Sequence, residues 1–183
     1  MAGTGRGRPV GLVLLALGPV LAAAYAAAGH AAIRTAVRAQ TTGPGWEGRV
    51  DADGMTAVGV DTWRLVWWTT LFAGLLAVAF VVIGVLLRRS GRGRTFLLVL
   101  SGVLIVPYVA VLVVAFLNPV RLLAGLYDED GFAGGLPSWQ PSLAFVLVAA
   151  GLAQAAGLAL AAGTRGLPAA APDPESASPG GSA

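Results

Sequence analysis

The chain has 183 residues, of which 56% are hydrophobic and only 11% charged, a balance too apolar for a soluble domain, where about a quarter is charged. Its net charge of +3 is divided among separate short segments and forms no basic stripe, which excludes a nucleic-acid partner. With no Cys and a single His, His30, disulfides, thiol redox chemistry and thiolate or His-built metal centres are excluded, and no cofactor is expected.

Residues 1–9 form a short flank carrying Arg6 and Arg8. Residues 10–33 follow as the first apolar run, free of Asp, Glu, Lys and Arg and long enough to cross about 30 Å of hydrocarbon as a helix. The basic flank, this run and Ala24-Tyr25-Ala26 also fit the plan of a cleavable signal peptide. That alternative would leave three spans, but the run continues past the candidate cleavage site to Ile33, which favours an uncleaved helix.

Residues 34–63 make a long first outer loop, in which Asp53-Gly54 is a hairpin-type turn pair and predicts a small β-hairpin. Two further spans, 64–87 and 95–118, whose apolar runs Leu65–Leu87 and Phe96–Leu117 are free of Asp, Glu, Lys and Arg, flank the loop 88–94, which carries Arg88, Arg89, Arg92 and Arg94. A second outer loop, 119–142, contains Asp128-Glu129-Asp130-Gly131 and leads through Pro137 and Pro141 into the last run, 143–163. The tail, 164–183, is rich in Pro, Ser, Gly and Ala and reads as disordered.

Apolar runs of this length with no alternating polar face are helices and not barrel strands. The fold class is therefore an all-α integral membrane protein, a four-helix transmembrane bundle. The Arg-rich loop 88–94 places that side in the cytoplasm, and by parity both termini lie there. Trp63, Trp67 and Trp68 form an interfacial belt at the opposite surface. All twelve basic residues are Arg, which reads as the coding bias of a GC-rich bacterial genome and suggests a bacterial cell membrane. The succession of long outer, short inner and shorter outer loops resembles the architecture of claudin-type four-span proteins. The chain has no Cys to match the pair in their outer loop, so the resemblance carries no site residue across.

Helices in lipid associate through small residues and a few hydrogen bonds. Gly18, Ala22, Tyr25, Gly29 and Ala32 share one face of the first helix, and Thr70, Ala73, Gly74, Ala77 and Gly84 one face of the second. Ser101, Tyr108 and Ala115 do so on the third helix, and Gly151, Gln154, Ala155, Leu158 and Ala162 on the fourth. Pro19 and Pro107 should bend their helices.

Gln154 is the most polar side chain deep in the membrane and requires a partner. Tyr108, at similar depth, is the expected one. The functional alternative is a polar path through Gln154, Tyr108, Ser101 and Tyr25. His30, Arg34 and Arg38 recur at four-residue spacing and form a candidate contact for an anion or lipid headgroup. The acidic turns at Asp51-Ala52-Asp53 and Asp128-Glu129-Asp130 do not follow the EF-hand pattern and read as solvated turns. No intramembrane charge, nucleophile elbow, P-loop or zincin motif is present. These observations favour a non-enzymatic structural or interaction component, partnered by the bilayer and by another membrane protein or a second copy. The alternative is a small-molecule permease, channel or pore-forming oligomer.

Overall fold

A computed structural model describes residues 7–44, 46–89, 93–127 and 129–163 of the chain. The expected disordered tail, the middle of the Arg-rich loop and Asp128 lie outside these residues. The long helices are α1 (Gly7–Thr42), α2 (Ala57–Arg89), α3 (Arg94–Phe116) and α6 (Ala144–Gly163), with the short helices α4 (Pro119–Leu126) and α5 (Asp130–Gly134) between α3 and α6. All four long helices are apolar enough to cross a membrane.

Local chemistry sets the helix ends. The segment after Ile33 has no Gly or Pro before Gly43-Pro44, so α1 continues to Thr42. The Thr56 hydroxyl accepts from the Gly59 amide at 3.4 Å and caps the start of α2. Gly93 enters α3 at φ 88°, and Pro119 opens α4 from a position where a missing N–H costs nothing. Helices α1 and α3 run unbroken through Pro19 and Pro107.

The expected β-hairpin does not form: among the described residues there is no strand. The turn itself is present, with Gly54 at φ 72°. However, the Asp51 carboxylate accepts the amides of Asp53 (3.0 Å) and Met55 (2.7 Å). Those amides are thereby committed within the loop. Two residues past Met55 the chain is already helical.

With 36 and 33 residues, α1 and α2 are about 54 and 50 Å long, far more than the hydrocarbon needs. Helices α3 and α6, with 23 and 20 residues, are about 35 and 30 Å. The surplus turns of α1 and α2 project at the end away from the Arg-rich loop. There α4 and α5 fold back onto them as a cap. Phe132 of α5 is fully buried among Ile33, Ala36, Val37 and Val58 in one core cluster, a burial that contributes about 2–3 kcal/mol. Gly135 lies so close to α1 that a Cβ there would stand 2.5 Å from the Ala39 Cβ.

Helices α1, α2 and α6 form the tight part of the bundle, and α3 rests on α2 and α6. Glycines allow the close approach: added Cβ atoms would meet Val66 at Gly29 and Leu15 at Gly157. On α1 the expected face, Gly18, Ala22, Tyr25, Gly29 and Ala32, is buried throughout. On α6 the buried face is Leu147, Ala150, Gln154, Gly157 and Ala161. It is rotated about one position from the face expected, and Ala155 is exposed. Of the 23 residues of α3, only Leu97, Tyr108 and Ala115 are buried, so this helix presents most of its surface to its surroundings.

Candidate functional site

The polar side chains expected to act together inside the membrane fall in three places. Gln154, 2% exposed, donates from Nε2 to the Ala77 carbonyl at 2.9 Å. The Tyr108 hydroxyl donates to the Leu147 carbonyl at 2.6 Å. The expected Tyr108–Gln154 hydrogen bond is therefore replaced by two bonds to helix backbone, whose carbonyls keep a second lone pair after their helical bond. Glycines make both arrangements possible. The Gln154 amide lies over Gly18, and a Cβ on Gly151 would stand 2.6 Å from the Tyr108 ring.

Gln154 and Tyr108 still face a common groove of about 170 Å³, lined also by Phe80, Ile105 and Gly151. Gln154 Oε1 is buried with no hydrogen-bond partner among the described residues. Ser101 does not join them: its hydroxyl donates to the Leu98 carbonyl of its own helix at 2.8 Å. Tyr25 lies toward the capped end, where it lines a small cavity of about 20 Å³ with Asn118 and Gln140.

A polar system organises the cap. The buried Gln40 side chain donates to Glu129 at 2.8 Å and accepts from the Thr56 hydroxyl at 2.8 Å, tying α1 to both connecting segments. Asn118 and Gln140 exchange two amide hydrogen bonds, of 3.1 and 3.0 Å, across the base of the α4–α5 insertion. Asn118 adopts a left-handed conformation, φ 51°, which Asn tolerates better than most residues. Tyr127, at the end of α4, donates to Asp61 of α2 at 2.5 Å. That hydrogen bond, reinforced by the Asp61 charge, raises the phenol above its ordinary pKa of 10.0. Sequence reasoning missed these residues. The signal for two of them was local: Asn118 directly precedes a proline where one apolar run ends, and Gln140 directly precedes a proline just before the next begins.

Beside this cap, His30 and Arg34 come together while Arg38 stands apart. The His30 ring meets Trp63 edge-on, with centroids 4.6 Å apart, and its Nδ1 is buried without a hydrogen-bond partner among the described residues. Arg34 donates to the Asp53 carbonyl at 2.8 Å. Together with Asp51, Asp53, Trp63 and Arg64 these residues line a cleft of about 380 Å³, within the range of small-ligand sites, about 300–1,000 Å³. Arg38 is exposed and contributes nothing to the lining.

No protein-family model matches the chain, and no similar curated protein or solved structure is found.

Proposed function

We propose that this protein is a non-enzymatic structural or interaction component of a bacterial cell membrane. In this reading both termini are cytoplasmic, and the α4–α5 cap faces outward as the contact surface. The observation that carries the proposal is the cap itself. Its polar side chains bond chiefly to one another, through Gln40, Thr56 and Glu129, Asn118 and Gln140, and Tyr127 and Asp61. Such a network holds a surface in one shape. On that surface Leu122, Leu126 and Trp139 are exposed, Leu126 by 81%, as befits contact with another membrane protein or a second copy.

The test is photo-crosslinking in intact cells from a reactive side chain at Leu126 and, separately, at Val106 on the outer face of α3. A discrete protein adduct from position 126, with lipid adducts alone from 106, is the expected result. Lipid adducts alone from both positions would reject the proposal.

One observation favours a permease or pore instead, namely that Gln154, whose buried Oε1 has no hydrogen-bond partner among the described residues, is one of the residues lining the groove. Solute flux through reconstituted vesicles that disappears with Gln154→Leu would establish that reading, and flux equal to protein-free vesicles would remove it.

A further inference from the structure

The cleft at His30 lies at the level where charge first appears on both helices around it. Arg34 follows the charge-free run of α1, and Arg64 precedes that of α2. Both therefore belong to the boundary between hydrocarbon and water. The cleft walls carry two guanidinium groups, Arg34 and Arg64, and two carboxylates, Asp51 and Asp53. A simple anion would be drawn to the first pair and repelled by the second. A zwitterion, with a phosphate and an ammonium a few bonds apart, complements both.

These groups keep capacity for such a ligand: Asp51 Oδ1 is taken by the Asp53 and Met55 amides, which leaves its Oδ2 along with the Asp53 carboxylate. Arg34 gives one N–H to the Asp53 carbonyl and retains other guanidinium donors. Arg64 pairs with Asp61 through Nη1 at 3.4 Å, and among the described residues its other guanidinium donors make no hydrogen bond. Trp63 adds an aromatic wall for the ammonium.

A second feature continues from the cleft along the same seam. Below Trp63 the ring of Trp67 follows, with centroids 6.0 Å apart. Trp67 heads an apolar groove of about 280 Å³ between α1 and α2, lined by Pro19, Ala23, Thr70, Gly74 and Val78. On α1 the residues 19, 23, 30 and 34 recur at spacings of three or four or their sum, and on α2 so do 60, 63, 67, 70, 74 and 78, with 64 four residues after 60. Cleft and groove therefore share one face of the helix pair. Gly74 has no neighbour within 4 Å of where its Cβ would stand, so the groove floor is open.

We infer that this seam binds an amino-phospholipid of the phosphatidylethanolamine type. Its phosphate meets Arg34 and Arg64, its ammonium meets Asp51, Asp53 and Trp63, and an acyl chain lies in the groove over Gly74. The groove favours a lipid over a free phosphoamine, which would leave it empty. This site does not depend on which partner the cap meets.

The test is native mass spectrometry of the full chain in detergent micelles, titrated with phosphatidylethanolamine, with phosphatidylglycerol of the same chains, or with soluble phosphoethanolamine. Phosphatidylethanolamine should bind about tenfold more tightly than phosphatidylglycerol, the worth of one charge-assisted hydrogen bond. Arg34→Gln and Asp53→Asn should each weaken it about tenfold. Gly74→Leu, which fills the groove from an open position, should weaken it severalfold while leaving the circular dichroism and thermal midpoint unchanged. Soluble phosphoethanolamine should not compete. Equal retention of the two lipids, unaltered by the substitutions, would overturn the inference. So would tighter binding of phosphatidylglycerol that responds to Arg34→Gln but not Asp53→Asn, or full competition by soluble phosphoethanolamine.

Discussion

The carboxamide of Gln154 lies across the bare Cα of Gly18 while its Nε2 donates to the Ala77 carbonyl, so that one side chain locks α6 to both α1 and α2. In lipid, where apolar burial contributes little between helices, association rests on such close packing and on the few interhelical hydrogen bonds.

Gly18→Ala should therefore destabilise the bundle. The new methyl would overlap the amide, and such overpacking costs about 1–3 kcal/mol. Thermal unfolding in detergent should show the loss, and Gln154→Ala in the same chain should recover part of it. Strictly additive losses would mean the two residues are not coupled.

At the cap, Gln40→Leu removes the partner of both Glu129 and the buried Thr56 hydroxyl. The buried Thr56 hydroxyl left without its acceptor costs about 1–3 kcal/mol, while half-buried Glu129 can turn to water. Hydrogen exchange should accelerate at least tenfold over 130–135, while the centre of α6 keeps its protection. Uniform acceleration in both segments would show that the cap does not open independently.

The Tyr127–Asp61 bond has a predictable pH response. Because the folded pKa is raised above 10.0, the contact contributes fully below pH 10 and is lost as pH rises through the folded value. The tyrosinate absorbance difference between the native chain and Tyr127→Phe should titrate with a midpoint above 10. Asp61→Asn should bring that midpoint down. A midpoint unmoved by Asp61→Asn would dissociate the shift from this pair.

Orientation is open to single-Cys labelling, which is clean because the chain has no Cys. Thr56 is a poor position, being buried against Gln40, whereas Val50 is 49% exposed and Thr95 is exposed at the opposite end. A membrane-impermeant reagent should label Val50→Cys in intact cells and reach Thr95→Cys only after the cells are opened. The reverse pattern would turn the cap to the cytoplasm.

Transfer of a helix into hydrocarbon is a sum over its own side chains. The four long apolar helices were therefore determined by sequence alone, through four runs without Asp, Glu, Lys or Arg. So was the buried face of α1, where Gly18, Ala22, Tyr25, Gly29 and Ala32 recur at alternating spacings of four and three. Tertiary structure decided what hydropathy cannot rank. On α6 both candidate faces are rich in Ala and Gly, and the close approach at Gly157 and the Gln154–Ala77 bond selected the one that turns inward. At the capped end, Phe132 found its place only because α1 and α2 run on past their apolar stretches and offer Ile33, Val37 and Val58 as a floor. The seam joining His30 and Arg34 to Asp53 and Gly74 likewise exists only when α1 and α2 lie side by side. In lipid every face of these helices is almost equally apolar, so steric fit between backbones and the few available polar partners, not hydrophobicity, chose the packing.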